Sequence, residues 1–438
     1  MYKSEYKLNN LRITGISVAE TGIFALEVMI RLYLLNFYTD VVGLKAELAG
    51  LAISAGIFWD AISDPLMGIL SDKTQSSLGK RRPYILAGSI GLALATFIIF
   101  NPPFLESNSA KFSYLLLSFI FLSTCLTVLS IPHTALVADI AVDPDKRNKI
   151  FAIKMILGNM GLLLAISLPL LLSQEKQGLS DFYSLSFILA ITIITSGLFS
   201  FFSSKGFDTN THKNPSNQLI SLLLKQVIAN RAFLLFILAY FIAYIGVAIN
   251  SSLALYYYQY KLGLRNQEIG LILIIFILSW LLASLLWLSL SNRFHKQKLA
   301  FLGIFLLGVL TSISYPFFPE KQLFYPLFMA VIGGFLVGSI FLFDSILADL
   351  EEADRLKTGT EKDGIYFSLA KFSMKASRSF AVALSGFLLS LIHFLPKQAQ
   401  NPETNFQLGL LFGPFVGFFF ILSSILFLKI PLKKNGVI

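Results

Sequence analysis

Charged residues are scarce in this sequence. Only 14% of the 438 residues are Asp, Glu, Lys or Arg, a fraction well below that of ordinary soluble domains, and 55% are hydrophobic. Apolar runs of membrane-spanning length recur along the whole chain, so no stretch is left for a large water-soluble catalytic or nucleic-acid-binding domain. The composition therefore predicts an integral membrane protein.

Cysteine and catalytic motifs are equally scarce. The single cysteine, Cys125, excludes a disulfide framework and a zinc site built on cysteines. The chain also lacks a phosphate-binding G-x-x-x-x-G-K-[ST] loop, a zinc-binding H-E-x-x-H helix and a G-x-S-x-G nucleophile turn. We therefore expect no cofactor, no metal beyond a coupling cation, no ATP-driven activity and no enzymatic reaction.

Twelve apolar runs are long enough to cross a bilayer with a hydrocarbon core of about 30 Å. They predict an all-α membrane protein with twelve transmembrane helices. The predicted spans are 14–38, 46–70, 83–101, 112–138, 150–173, 182–203, 231–258, 269–291, 298–318, 323–348, 365–395 and 407–429.

Basic residues are distributed unevenly between the two sides of these spans. If the N-terminus is cytoplasmic, 23 Lys and Arg lie on that side, 7 lie on the other side and 5 lie within spans. Because cytoplasmic loops of membrane proteins are enriched in basic residues, this bias predicts that both termini are cytoplasmic. It also explains the net charge of +10 without nucleic acid. We expect an inner or plasma membrane protein that functions as a monomer.

Two short motifs recur in the second half of the chain. Leu136–Ile140 is echoed 210 residues later by Ile346–Leu350, and Leu70–Lys73 is echoed 220 residues later by Leu290–Arg293. Both repeats fall at equivalent span ends, which favours duplicated six-helix halves. The sequence predicts a first half at 1–203, a cytoplasmic linker at 204–230 and a second half at 231–438.

Two carboxylates lie four residues apart in the second span. Asp60 and Asp64 face the same way on a helix, and two carboxylates on one face repel each other unless they share a cation or a proton. Oxygen ligands suit Na⁺, and a shared proton suits H⁺. The alternative is that one Asp pairs with a distant Lys for packing alone. We favour a coupling-cation site.

Other charged residues within spans also form stripes. Because a charge deep in a bilayer costs about 2.5–3.5 kcal/mol, each needs a partner or a water-filled cavity. The acids of spans 1 and 2 and the bases of spans 5 and 11 predict one cavity, although Glu27 and Arg31 also fit a structural brace and Lys371 fits a snorkelling residue. The stripe residues outside span 2 are Glu20, Glu27 and Arg31 in span 1, Lys154 in span 5, and Lys371, Lys375 and Arg378 in span 11. His133 in span 4 fits a proton site or a satisfied polar residue, and we favour the second interpretation.

Several motifs resemble a known transporter family. Gly68–Asp72 followed by Gly79–Pro83 resembles the signature loop of the major facilitator superfamily. Tyr38–Leu44 and Trp59–Gly68 together with this loop resemble the glycoside–pentoside–hexuronide:cation symporter family. Further similar segments are Ile131–Pro132, Lys357–Gly359, Asp363–Gly364 and Lys375. The resemblance covers most of the chain and implies the major facilitator fold.

The resemblance also implies roles for particular residues. Asp60 and Asp64 would bind the cation, Lys375 would lie close by, and Lys154 stands at the place of a fifth-helix arginine. Ser130 and Thr134 stand where the family's sugar carriers have an Asp and a Trp beside Ile-Pro. Counting back from Asp40, Ile23 and Phe24 stand where those carriers have a Lys-Asp pair. Conformational gating is expected of the charged residues at the helix ends, Asp72, Arg81, Arg82, Asp139 and Asp349.

The sequence therefore predicts a secondary transporter that couples a small solute to Na⁺ or H⁺ by alternating access, with a sugar or glycoside as the substrate that the resemblance implies. The altered sugar-binding positions leave an organic anion or a lysophospholipid as the alternative. A membrane-embedded enzyme or a lipid scramblase is disfavoured, because no nucleophile–base pair is present and the carboxylates of span 2 fit an ion site.

Overall fold

The computed structural model describes residues 10–140, 144–172, 179–207, 226–360 and 362–431, and this part of the chain is built from helices. Each of the twelve predicted spans corresponds to one long helix. The helices are α1 (Asn10–Leu34), α2 (Ala46–Lys73), α3 (Arg82–Phe100), α4 (Asn108–Ile140), α5 (Pro144–Leu172), α6 (Leu179–Ser203), α7 (Arg231–Lys261), α8 (Asn266–Ser291), α9 (Lys296–Phe317), α10 (Phe324–Thr358), α11 (Asp363–Leu391) and α12 (Pro402–Leu428).

Helix α11 differs from the others in composition. Eleven of the described helices are long and apolar enough to cross a membrane. Helix α11 has 29 residues and is long enough, but Lys371, Lys375 and Arg378 make it more polar. Because intramembrane charges mark functional positions, this departure from an apolar composition is informative about where chemistry occurs.

The chain forms two compact units, 1–213 and 214–438. Most of the predicted linker, residues 208–225, lies outside the described residues. In unit 1, α1 packs against α5 and α6, α3 packs against α4 and α6, and α2 packs against α4. Small residues allow these close approaches, since a side chain at Gly161 would overlap the backbone of Thr21 and one at Gly88 would overlap Leu129.

Unit 2 uses the corresponding helix pairs. Helix α7 packs against α11 and α12, α9 packs against α12, and α8 packs against α10. A serine hydroxyl of the last helix donates to a carbonyl of the first helix in both units. Ser200 Oγ donates to the carbonyl oxygen of Ile16 and Ser423 Oγ to that of Ala239, each over 2.7 Å. The two units therefore share one packing scheme.

Wide π-helical turns interrupt the first helix of each unit near its end. In unit 1 they cover Ile30–Leu34 at the end of α1 and Phe37–Val41 directly after it. In unit 2 one covers Tyr257–Lys261 at the end of α7. After each final turn the chain reverses at a glycine with positive φ, +74° at Gly43 and +64° at Gly263. A π turn has more residues than an α turn, so successive side chains in these turns no longer follow the angular spacing of an α-helix.

Candidate functional site

Asp60 and Asp64 lie one turn apart on α2 and face α4. The hydroxyl of Thr127 on α4 lies 2.8 Å from Oδ1 of Asp60 and 3.0 Å from Oδ1 of Asp64. Ser63 Oγ lies 3.1 Å from the same hydroxyl oxygen. Asp60 and Asp64 are half-buried, whereas Ser63 and Thr127 are buried. We call Asp60, Ser63, Asp64 and Thr127 the carboxylate–threonine cluster.

This cluster has the chemistry of a site for a hard cation. The single hydroxyl hydrogen of Thr127 faces a carboxylate oxygen of Asp60 and one of Asp64, so it can bond to only one of them at a time. Within the described ranges no group of three or more His, Cys, Asp and Glu is placed to hold a metal ion. A cation at this cluster would therefore use carboxylate and hydroxyl oxygens, which suit a hard cation or a proton.

Thr127 was missed by reasoning from charge, because its side chain is neutral. A weak signal is present in the sequence, since Thr127, Ser130 and Thr134 recur at helical spacing within an apolar span. Ser130 is half-buried one turn before Thr134. The neighbouring Trp59 extends the polar contact between the helices, because its Nε1 donates to Thr124 Oγ1 over 2.9 Å.

A second polar cluster joins α1, α4 and α5. Oε2 of Glu20 lies 3.3 Å from Nζ of Lys154 and 3.5 Å from Nδ1 of His133. Lys154 also donates to Thr134 Oγ1 over 2.9 Å. We call Glu20, His133, Thr134 and Lys154 the Glu20 cluster. It brings an acid, a base and a hydroxyl of three helices together and adds His133 to them.

The predicted brace between Glu27 and Arg31 does not form. Glu27 is half-buried, whereas Arg31 is exposed and makes no ion pair among the described residues. Arg31 lies at the start of the π turn over Ile30–Leu34, where the regular α-helical spacing ends. The three residues expected on one helical stripe therefore differ in burial: Glu20 is buried, Glu27 is half-buried and Arg31 is exposed.

The predicted bases of α11 belong to unit 2. Lys375 and Arg378 are half-buried, and Lys371 is exposed. Asp344 of α10 and Lys371 of α11 both lie in unit 2, and the positive charge of Lys371 acts on the Asp344 carboxyl group.

The residues expected to gate the transporter are linked by charge at the ends of the helices. Arg81 is buried and lies 3.1 Å from Asp72 and 3.0 Å from Asp139. Asp349 pairs with Lys296 over 2.7 Å. Arg82 makes a different kind of contact, because its guanidinium donates to the carbonyl oxygen of Phe201 and lies over the Phe201 ring, 4.4 Å from the ring centroid. Arg82 thus fastens α3 to α6.

Twelve membrane-spanning helices with carboxylate and ammonium groups in their interior define a secondary transporter of the major facilitator type. The solved structure of a D-xylose-proton symporter has this fold, with a TM-score of 0.64, 12% identity, and coverage of 97% of this chain and 98% of that chain. The family model described as MFS/sugar transport protein matches residues 15–434. The chain belongs to this family.

Two curated relatives have named substrates. The isoprimeverose transporter of Lactiplantibacillus pentosus is 25% identical over 418 residues, covering 92% of this chain and 85% of that protein. The glucuronide carrier protein homolog of Escherichia coli (strain K12) is 23% identical over 396 residues, covering 89% of this chain and 86% of that protein.

The chain is thus an integral membrane protein and a cation-coupled secondary transporter of a small molecule, not an enzyme, and it works by alternating access between the two sides of the membrane. The predicted family, fold and transporter class are confirmed.

Proposed function

We propose that this transporter moves a glycoside-like sugar together with Na⁺, and that the carboxylate–threonine cluster binds the Na⁺. One observation supports the ion site above all others. A buried hydroxyl, that of Thr127, lies within 3.0 Å of a carboxylate oxygen of both Asp60 and Asp64. Two carboxylates held this close on one helix face favour a cation between them.

The ligand set favours Na⁺ over H⁺. A hard cation binds through several oxygen atoms, and this cluster offers carboxylate and hydroxyl oxygens from two helices. A proton needs a single acceptor and gains little from Ser63 and Thr127. The hydroxyl groups therefore provide the discriminating test, because they matter for Na⁺ coordination and much less for protonation of one carboxylate.

Asp60→Asn and Thr127→Val test this site. We expect Asp60→Asn to abolish Na⁺-stimulated uptake while the protein still folds, and Thr127→Val to raise the Kd for Na⁺ about tenfold, since one hydroxyl ligand is lost. Thr96→Val is the matched control, because Thr96 is a buried threonine whose hydroxyl donates only to Leu92 of its own helix, over 2.7 Å.

Binding is measured as the Na⁺ concentration that stabilises the purified protein against heat. Na⁺ dependence that survives Asp60→Asn overturns the assignment. If Thr127→Val has the same Na⁺ affinity as Thr96→Val, and if uptake depends on pH but needs no Na⁺, then the coupling ion at this cluster is H⁺ and not Na⁺.

The Glu20 cluster is the proposed substrate contact in unit 1. Carboxylate, ammonium and hydroxyl groups from Glu20, Lys154 and Thr134 can accept from and donate to sugar hydroxyls. One relative is named an isoprimeverose transporter and another a glucuronide carrier protein homolog, so similarity supports the sugar class. The ammonium of Lys154 also suits the carboxylate of a hexuronide.

A thermal-shift screen distinguishes the substrate classes. We expect a neutral glycoside or a hexuronide to raise the midpoint of unfolding, and the rise to grow with Na⁺. Lys154→Gln should weaken hexuronide binding more than neutral glycoside binding, because only the hexuronide has a charge for Lys154. A shift with a lysophospholipid or a small organic anion and with no sugar overturns the sugar assignment and leaves the ion site in place.

The remaining roles extend this proposal. Lys375 is proposed to link ion and substrate occupancy, with Lys371, Glu27 and Arg31 shaping the cavity and Ser130 contacting the substrate beside Thr134. The ion pairs of Arg81 and Asp349 support a gating role for these helix ends, in which the pairs break and reform during transport.

The 23 to 7 distribution of basic residues supports cytoplasmic termini, and one chain is proposed to act as a monomer between two six-helix halves joined near residues 204–230. Accessibility of a tag at either end in right-side-out vesicles checks the orientation. Protection of both tags from external protease is expected.

A further inference from the structure

His133 occupies a buried position in the middle of unit 1. Its Nε2 lies 2.8 Å from the carbonyl oxygen of Ile16, and its side chain is fully buried. Helix α1 is interrupted at Val18, between Asn10–Ser17 and Ala19–Met29, and the carbonyl of Ile16 accepts bonds from side chains of α4 and α6. Because a carbonyl oxygen only accepts, Nε2 of His133 must have a hydrogen.

The other ring nitrogen faces a carboxylate. Nδ1 of His133 lies 3.5 Å from Oε2 of Glu20, is buried and has no hydrogen-bond partner at shorter range. With the hydrogen fixed on Nε2, a neutral ring would direct the lone pair of Nδ1 toward the negative oxygen of Glu20. Two acceptors facing each other in a buried site are unfavourable, and a proton between them converts the repulsion into a charge-assisted hydrogen bond.

We propose that Glu20 and His133 form a proton-binding site, with the proton on Nδ1 of His133 and shared with Oε2 of Glu20. The third charged group at the site is Lys154 of α5, whose Nζ lies 3.3 Å from the same oxygen. From α6 the contact is the neutral hydroxyl of Ser200. Among the described residues, the titratable groups that act on Glu20 are His133 and Lys154.

This site is separate from the carboxylate–threonine cluster. His133 and Thr127 are six residues apart on α4, which places their side chains about 120° apart around the helix, so they face different neighbours. Thr127 bonds to α2, whereas His133 contacts α1. One helix therefore lies between a site for a metal cation and a site for a proton.

Protonation changes how three helices are held. With the proton bound, Oε2 of Glu20 attracts His133 and Lys154 together, joining α1 to α4 and α5. Without the proton, the carboxylate is attracted by Lys154 alone and repelled by Nδ1. Proton loss therefore weakens the contact between α1 and α4 while leaving that between α1 and α5.

The site is tested by ¹⁵N NMR of histidine rings in the full-length protein in detergent, without Na⁺ and without sugar, from about pH 5 to 9. The nitrogen shifts report which ring atoms are protonated. We expect His133 to keep Nε2 protonated throughout and to gain or lose a proton at Nδ1 as the pH changes. His133→Gln identifies its signals by their loss, and His295→Gln, which removes a histidine outside the cluster, should leave them in place.

Glu20→Gln supplies the decisive comparison. Its amide can donate to Nδ1, so His133 should stay neutral over the whole pH range, with the Nδ1 protonation signal lost. A wild-type His133 that stays neutral at every pH overturns the proposal, as does unchanged titration in Glu20→Gln. If Glu20→Gln does not fold, the wild-type pH series decides alone. Because neither Na⁺ nor sugar is present, the result does not depend on the proposed transport function.

Discussion

The two units use the same helix pairs but fill them with different chemistry. Where α1 meets α4 in unit 1, Glu20 contacts His133 over 3.5 Å. Where α7 meets α10 in unit 2, Tyr240 contacts Phe343, with 5.8 Å between ring centroids, and Phe343 stacks on Phe427 at 4.3 Å. Unit 1 has an ionisable pair at a contact that aromatic rings fill in unit 2.

The second helix of each unit shows the same contrast. At a spacing of 220 residues, Asp60 and Asp64 of α2 correspond to Trp280 and Ser284 of α8. Thr127 of α4 corresponds to Val337 of α10 at a spacing of 210 residues. One packing scheme therefore places two carboxylates and a hydroxyl in unit 1 where unit 2 has the uncharged residues Trp280, Ser284 and Val337. Packing alone does not require the charged residues of unit 1, which supports their proposed role in transport.

The largest effect on stability is expected in unit 2. Phe343→Ala removes a fully buried ring that contacts both Tyr240 and Phe427, so the free energy of unfolding should fall by about 3 kcal/mol or more. The Kd for Na⁺ should stay at the wild-type value in the folded fraction. Thermal unfolding and Na⁺ titration measure the two quantities, and weaker Na⁺ binding would contradict the division between the units.

Asp64→Asn should weaken Na⁺ coupling without lowering stability. Na⁺-stimulated uptake should fall at least tenfold, because one of two carboxylates is neutralised, while the unfolding midpoint in the absence of Na⁺ should be unchanged or raised as repulsion with Asp60 is relieved. Ser284→Asn at the corresponding position of unit 2 is the matched control. Equal losses of Na⁺ stimulation in the two variants would refute the comparison.

The serine bonds that both units share should contribute equally to stability. Ser200→Ala and Ser423→Ala each remove one buried 2.7 Å bond to a carbonyl, so each should lower the free energy of unfolding by about 1 kcal/mol. Only Ser200→Ala should alter the ring-nitrogen signals of His133, because only Ile16 is shared with a histidine. Parallel unfolding and NMR measurements test both statements.

The smallest effect is expected at Lys296 of unit 2. Its side chain and that of Asp349 are each 31% exposed, so Lys296→Met should change the free energy of unfolding by less than about 1 kcal/mol. Arg81→Met in unit 1 should cost more, because the Arg81 side chain is 7% exposed and pairs with both Asp72 and Asp139. Denaturation of both variants at low and high salt measures the loss in free energy of unfolding. A larger loss for Lys296→Met than for Arg81→Met would contradict this prediction.

The sequence by itself determined the membrane class, the twelve spans, the family and the carboxylate pair of α2. These features depend on local properties, since apolar run length sets a span and four residues along a helix place Asp60 and Asp64 on one face whatever surrounds them. The same spacing did not pair Arg31 with Glu27, and Arg31 lies exposed at the π turn over Ile30–Leu34.

Only the tertiary structure decided which groups meet across helices. Gly56 of α2, where a side chain would overlap Phe119 of α4, lets these two helices approach closely. Thr127 meets the two carboxylates, and His133 meets Glu20, only at one depth and one rotation of each helix. Those two quantities are set by packing over the whole length of each helix, whereas a sequence pattern records only the angular order of residues along one helix. The partners of a charge in this transporter therefore followed from packing and not from spacing.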